Sequence, residues 1–405
     1  MNPRVAITGA AGITPLGDSW QQTRSGLGAM KNCVRRMESW DDVDGLNTRL
    51  AAPIVDIDLS TRYGGNGVRS MGRVAQLAVH ATHLALSEAG LLDDPTLSDG
   101  STGVAYGSCT GSTEEIVAMG DASDLTRMQP VQYLRLMSHT AAMNICRHFD
   151  IRGRVVPTPS ACTAGSQSIG FAYEAIRAGR QTIMVAGGAE QLCVSEAAVF
   201  DVLYATSTRN DEPNATPCPF DTKRDGLVVG EGAGTLILED MDHAKARGAN
   251  ILAELVGFGT NADGAHVTRP NQSTMQKALE SALADADIDG QQIGYVCAHG
   301  TATEHGDIAE TNATAEALGK KVPISSLKSY LGHTLGACGA LEAWMTLNML
   351  NDDWYAPTLN LENLDERCGD LDYLRGAPRK LENEFVMSNN FAFGGINTSL
   401  IFQRV

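Results

Sequence analysis

Aromatic residues are scarce, at 5% of the 405-residue chain, and basic side chains are outnumbered, with 31 Lys and Arg against 48 Asp and Glu. The resulting charge of −17 argues against nucleic-acid binding over the whole surface and leaves only local basic patches. No apolar run reaches the roughly 18 residues of a membrane span, so none is expected. The nine cysteines, at 33, 109, 146, 162, 193, 218, 297, 338 and 368, are odd in number and include no C-x-x-C pair. That excludes a neat disulfide framework and the common zinc patterns, and it suits a reducing compartment; the cytoplasm is expected. No H-x-x-x-H or H-E-x-x-H pair occurs, and His299 and His333 are 34 residues apart, so no metal is expected. The glycines of Gly230-Glu231-Gly232-Ala233-Gly234 lack the G-x-G-x-x-G order and a following helix, which speaks against a nucleotide site. The opening MNPRVAITGAAGITPLG is too short and Gly-broken for a secretory segment and reads as a strand and turn.

Glycine, by contrast, is plentiful: 42 residues with no low-complexity tract signal tight turns and close backbone approaches. With 43% apolar and 20% charged residues the chain is ordinary for a globular protein, and its length suggests two or three domains. Short β-rich runs (4–8, 104–106, 182–186, 235–239, 293–298) alternate with Ala-rich amphipathic stretches (75–89, 166–178, 274–284). That alternation predicts an α/β fold in which helices cover a mostly parallel or mixed sheet. A faint repeat at an offset of 171 residues sets Cys162 over His333, Gly165 over Gly336 and Tyr173 over Trp344. Chance matching in Ala/Gly-rich helices is one reading. The other is a duplicated fold with halves 1–250 and 251–405, each placing a reactive side chain at the start of an equivalent buried helix.

Four stretches could carry chemistry. Cys162 lies just ahead of an amphipathic run ending in Arg177 and Arg180, so it falls at a helix N-terminus. There the helix dipole would lower a thiol's pKa and free N–H groups would serve an oxyanion; an inert buried thiol is the competing reading. His299 leaves the apolar strand IGYVC into a Gly/Thr turn, where α/β proteins place catalytic groups, although a structural His fits as well. In SSLKSYLGHTLGACGALEAW, Lys328 precedes His333 by five residues and Glu342 follows it by nine. With a helix starting near His333, Glu342 would lie about two and a half turns on, out of reach of His333 but within reach of a folded-back Lys328. Finally, Gly394-Gly395 after Phe393 permits positive φ and would bring backbone N–H groups to a ligand, or would simply form a turn.

Seven ordered motifs, VAITGAAGITPLG, SACTAG, VAGGAE, PFDTKRDGLVVGEGAG, HGTATEHGD, LKSYLGHTLGACG and NNFAFGGIN, together resemble the β-ketoacyl-[acyl-carrier-protein] synthases of the thiolase superfamily over nearly the whole chain. The resemblance implies a thiolase-like α/β fold with duplicated halves, an acyltransferase activity, no cofactor, and an acyl carrier protein as partner. It also implies roles. Cys162 would be the acyl-accepting nucleophile and His299 and His333 the paired histidines of the Cys-His-His type. Lys328 and Glu342 would be the supporting charged pair, and Thr301 and Thr303 would bind the phosphopantetheine arm. Phe393 would be the gating residue and oxyanion donor beside Gly394 and Gly395, with Phe391, Asn397 and Thr110 contacting substrate. The pathway would be fatty-acid or related polyketide synthesis.

Departures from the family pattern carry expectations of their own. Ala392 stands where a glycine is usual and Ile396 where a Thr is usual; Ala pays a steric penalty wherever φ is positive, so this gate is expected to swing less freely and Ala392→Gly to speed acylation by bulky or long chains. Leu227 replaces a Phe, and Thr110 replaces an apolar gatekeeper, pointing to specialised acyl chains. Because the carrier protein is acidic, docking needs local positive charge, and Arg69, Arg73, Arg127, Arg209 and Arg269 are the candidates. A homodimer is expected from the family, with a heterodimer as the variant. Two rivals are a thiolase-like enzyme using coenzyme A thioesters and a second catalytic Cys, and a chain-length-setting partner subunit.

Overall fold

The computed structural model describes residues 3–55, 57, 59, 68–119 and 129–405. The expected strands and helices form, most of them a few residues longer than their apolar patterns indicate. Eleven strands make one mixed sheet. In chain order they are β1 (Val5–Ile13), β2 (Thr102–Gly107), β3 (Val155–Pro157), β4 (Ile183–Glu190), β5 (Gly232–Asp240), β6 (Ala253–Ala262), β7 (Ile293–Cys297), β8 (Pro323–Ser325), β9 (Asp372–Tyr373), β10 (Phe385–Phe391) and β11 (Ile396–Gln403). Their spatial order is β9-β8-β7-β10-β11-β6-β1-β5-β4-β2-β3. Every residue of β1, β2, β4 and β10 is buried, as expected of strands covered on both faces.

The strand order repeats itself. From β1 outward, β1-β5-β4-β2-β3 run antiparallel, antiparallel, parallel, parallel. From β6 outward, β6-β11-β10-β7-β8 follow the same sequence of senses. The two sets meet where Val5–Ile7 of β1 pairs antiparallel with Ala253–Leu255 of β6.

Five helices matter for the site: α1 (Arg73–Glu88), α2 (Ala164–Arg177), α3 (Gln272–Ala286), α4 (Glu304–Leu318) and α5 (Cys338–Asn351). All but two residues of α5 are buried, which explains why its sequence is mostly apolar, with Glu342 and Thr346 buried among the apolar side chains. α2 and α5 are equivalent in the two sets, and each follows a one-turn 3-10 segment, Ala161–Thr163 and Leu335–Ala337. They cross at glycines: a Cβ on Gly165 would sit 2.8 Å from Ala340 N, and one on Gly339 would sit 2.7 Å from Ser166 N. Only glycine allows this approach.

These contacts correct the register of the repeat. The helices begin at 164 and 338, and the preceding turns at 161 and 335, an offset of 174 rather than 171. Cys162 therefore corresponds to Gly336, and His333 lies upstream of the equivalent turn. The cause is local: Lys328–Leu331 forms its own helical turn, after which His333 bridges Val229, with His333 N–H donating to Val228 O at 2.7 Å.

Candidate functional site

Most candidate catalytic side chains follow the C-terminal end of a strand or lie just ahead of a helix, where α/β folds gather chemistry, whereas Glu342 lies in the second turn of α5. Cys162 occupies the 3-10 turn between β3 and α2, preceded by Ala161 at φ +50°. His299 follows β7, Lys328 follows β8, and Phe393 sits in the turn between β10 and β11. Cys162, His299, His333, Lys328 and Glu342 are all buried, none more than 5% exposed.

Cys162 and the two histidines converge despite their separation in sequence. His333 Nε2 stands 3.0 Å from Cys162 Sγ, and the His299 and His333 rings meet edge-on at 5.1 Å. The thiol and one nitrogen of each ring lie within 4.8 Å of one another, a spacing that could hold a metal ion. Long sequence spacing was therefore a poor argument against a ligand set, because the fold removes the spacing. His299, Cys338 and Glu342 form a second such group, but the Lys328 ammonium already stands in it.

Hydrogen bonds define both imidazole tautomers. Leu335 N–H donates to His333 Nδ1 at 3.1 Å, so the ring proton is on Nε2, facing Cys162. Lys328 Nζ donates to His299 Nδ1 at 3.1 Å and Asn390 Nδ2 approaches the same atom at 3.4 Å, which again leaves the proton on Nε2. Burial, with the Lys328 charge adding to it, holds both histidines well below the usual imidazole range, so both are neutral. Lys328 also pairs with Glu342, and Asn390 Nδ2 donates to the other Glu342 oxygen at 2.6 Å. The predicted reach of Glu342 to Lys328 is present.

Burial pushes the Cys162 thiol up to about 11, against the Phe393 N–H, the Lys328 charge and its own N–H, which pull it down. The helix N-terminus alone does not make a thiolate here: desolvation outweighs it.

A cavity of about 500 Å³ opens from Cys162 to the surface and is lined by both histidines, Thr301, Thr303, Phe391, Phe393 and Asn397, among others. The Thr301 and Thr303 hydroxyls are 2.9 Å apart, and Phe391 stands edge-on to His299 at 6.3 Å. Asn397 Nδ2 donates to Asn261 Oδ1 and Asp263 Oδ1, so its amide braces the wall.

Several expectations need correcting. Gly394 and Gly395 have φ of +89° and +75°, but their N–H groups donate to Val267 O and Ala392 O, each at 2.9 Å. Of the loop's backbone donors, only the Phe393 N–H is directed at Cys162. Ala392 lies outside the left-handed region, so the steric argument for a stiff gate does not apply to it. Thr110 does not line the cavity; its hydroxyl donates to Glu196 Oε1 at 3.0 Å. Arg73 is committed to Glu231 at 2.5 Å, and the Arg209 fork is spent on Ala215 O, Lys223 O and Asp225. Of the five arginines, Arg69 is exposed, Arg269 is exposed on the cavity lip with no ion pair among the described residues, and Arg127 lies outside them.

Supporting residues escaped the sequence reading. Glu310 on α4 accepts the N–H groups of His299 and Gly300 at 2.6 and 2.7 Å, fixing the histidine loop. Glu190 at the end of β4 accepts from Ser108 Oγ, Cys109 N and Gly336 N, tying the β2 loop to the turn before α5. Asp307 accepts the N–H of Phe220 and pairs with the buried Arg224. All three are acids receiving backbone donors, and only the VAGGAE and HGD motifs hinted at two of them.

Residues 2–244 match the family described as "Beta-ketoacyl synthase, N-terminal domain" and residues 252–362 that described as "Beta-ketoacyl synthase, C-terminal domain". The chain is 38% identical, over 99% of both proteins, to a "3-oxoacyl-[acyl-carrier-protein] synthase 2" of Vibrio cholerae. A crystal structure of a beta-ketoacyl synthase from Burkholderia phymatum is 57% identical with a TM-score of 0.97 over the full length of both. A type II PKS acyl-carrier protein in complex with its ketosynthase bound to the hexaketide is also similar, at 28% identity, TM-score 0.90 and full coverage of both chains.

Proposed function

The chain belongs to the β-ketoacyl synthase family and has its thiolase-like layered fold, and from that premise we propose a decarboxylative condensation of a Cys162-bound acyl chain with malonyl-[acyl-carrier-protein]. The observation that carries this reading is the pair of neutral imidazoles, each with its proton on Nε2, directed at the space beside Cys162 Sγ. Two such donors are what an enolate oxygen requires.

In the first half-reaction Cys162 attacks the acyl thioester carbonyl, and the thiol proton ends on the departing phosphopantetheine thiol. The N–H groups of Cys162 and Phe393 receive the oxyanion, and removing one such donor typically costs about 10²–10³ in rate. The His333 Nε2–H stabilises the sulfur as charge develops on it. In the second half-reaction malonyl-carrier protein loses carbon dioxide, and the enolate oxygen is held by His299 and His333. The enolate carbon then attacks the acyl-Cys162 carbonyl, the Cys162 thiolate leaves, and β-ketoacyl-carrier protein forms. Thr301 and Thr303 hydrogen-bond the phosphopantetheine arm in the cavity, Phe391 forms its apolar wall, and no metal or cofactor enters the reaction. Lys328 holds His299 in its tautomer, and Glu342 with Asn390 holds Lys328.

The acyl carrier protein docks at the cavity lip, where Arg269 supplies the free positive charge on a chain of net charge −17. Among the described residues no helix is long and apolar enough to cross a membrane, and nine free thiols suit the cytoplasm. The short β3 at the sheet's edge, with Val155 exposed, suits pairing with a second copy into a homodimer. The test is incubation with acyl- and malonyl-carrier protein. An acyl adduct on Cys162 with release of carbon dioxide is expected. Condensation without carbon dioxide would favour the thiolase-like reading, and absence of the adduct would favour the non-catalytic subunit.

A further inference from the structure

Behind the Phe393 ring lies an apolar cluster that the chemistry above leaves unassigned. Phe393 meets Phe200 edge-on at 5.3 Å, and Ala197, Leu335 and Cys109 belong to the same cluster. The helix Val194–Asp201, which supplies Ala197 and Phe200, also supplies Glu196. This carboxyl is 4% exposed. Its Oε1 accepts from Thr110 Oγ1 at 3.0 Å and Thr113 Oγ1 at 3.3 Å, while Oε2 has no hydrogen-bond partner among the described residues. Among the described residues no cation is paired with it, and Glu190 and Cys193 both disfavour its charge. Burial first, and the Glu190 charge second, raise it well above the usual carboxylate range, so it is a carboxylic acid with an O–H to donate. Cys109 packs on the same cluster as Phe393 and is followed in the chain by Thr110, whose hydroxyl donates to the acid.

A buried polar atom left unmet beside an apolar wall is costly unless a ligand completes it. We propose that Glu196, braced by Thr110 and Thr113, is a specificity-determining residue that hydrogen-bonds an oxygen carried along the acyl chain, favouring oxo- and hydroxy-acyl groups over plain alkyl groups of equal length. This rests on the ketosynthase reading, since it needs the chain to be seated on Cys162. It restores a function to Thr110, which does not line the main cavity but orients the acid. It also implies that the reaction supplying the substrate leaves at least one carbonyl or hydroxyl group unremoved. A site built to hydrogen-bond a substrate oxygen discriminates strongly against the analogue lacking it.

The experiment is acylation of Cys162, followed by intact mass, with pairs of acyl-carrier proteins matched in length and differing by one mid-chain or terminal oxygen. The wild type should acylate with the oxygenated member about tenfold faster. Glu196→Leu should bring that ratio close to one, whereas Glu196→Gln, which keeps both an acceptor for the two threonines and a donor in place of the O–H, should keep most of the preference. Equal wild-type rates for both members, or a preference that survives in Glu196→Leu, would overturn the proposal. Should Glu196→Leu fail to fold, Glu196→Gln together with the wild-type ratio decides, because a preference lost in Gln as well means that the carboxyl is not read through its donor. Failure of every acyl-carrier protein to acylate Cys162 would instead sink the underlying ketosynthase reading.

Discussion

Replacing Lys328 by Met removes the ammonium that donates to His299 Nδ1 and pairs with Glu342, while preserving most of the side chain's volume. Two effects follow and can be separated. Glu342, at 2% exposure, is left as a buried acid with Asn390 as its remaining donor, and breaking a buried pair typically costs about 3–5 kcal/mol of stability. Independently, His299 loses the charged donor that keeps its proton on Nε2. A hydrogen bond to a charged group is worth about 1.5–3 kcal/mol, so the tautomer bias should fall by roughly 10- to 100-fold, and the rate of enolate formation with it. Adding Glu342→Gln to Lys328→Met removes the unpaired acid and should return much of the melting temperature, but it cannot restore the Nε2–H tautomer. The assay is carbon dioxide release from labelled malonyl-carrier protein, run beside thermal melts of wild type, Lys328→Met and the double variant. Stability and rate should part company in the double variant. If decarboxylation in Lys328→Met stays within about threefold of wild type, or if the double variant regains rate along with stability, the tautomer argument is wrong and Lys328 is merely a structural partner of Glu342.

Four shorter predictions test other parts of the site. Because burial raises Cys162 to about 11, alkylation by iodoacetamide should climb about tenfold per pH unit from 7 to 10; a plateau already at pH 7 would mean that the helix N-terminus holds a thiolate after all. Gly394→Ala, at φ +89°, should strain the loop by about 1–3 kcal/mol and slow acylation by misplacing the Phe393 N–H, whereas Ala392→Gly should leave acylation nearly unchanged across chain lengths. Glu310 is raised to about 8 in the folded protein from an ordinary value of 4.5, so the folded state binds its proton more tightly than the unfolded chain. That stability is present below about pH 4.5 and is lost as pH rises from there through 8, and Glu310→Gln should flatten the fall in melting temperature between about pH 5 and 8. Arg269→Glu should raise KM for acyl-carrier protein and leave small thioester mimics unaffected, whereas Arg209→Glu should lower the melting temperature by unpicking the Ala215 and Lys223 carbonyl contacts.

The layered α/β fold was legible because strand and helix periods alternate cleanly, and a mostly apolar stretch such as Leu341 to Leu350 has few places to go but the interior. Cys162, both histidines and the Lys328–Glu342 pair were legible as motifs. What the motifs could not give was register and partnership. The repeat was misaligned by three residues because Lys328–Leu331 coils into its own turn ahead of His333, which then bridges Val229. Arg73 and Arg209 read as docking charges, since nothing along the chain announces that Glu231 and two backbone carbonyls will claim them.

The acids Glu190 and Glu310 show why such partners are hard to read and why they matter. Each accepts backbone N–H groups, which nearly every residue carries, so no residue type marks the other end of the contact, and Glu190 also stands far in sequence from Cys109 and Gly336. Yet each clamps the backbone of a chemical group: Glu310 holds the His299 loop, and Glu190 joins the Cys109 loop to the turn leading into α5. The tautomer logic of the two imidazoles depends on ring positions that these carboxyls hold in place. Candidate side chains can thus be read from the sequence, while the frame that sets their geometry is written in main-chain hydrogen bonds that only the folded chain reveals.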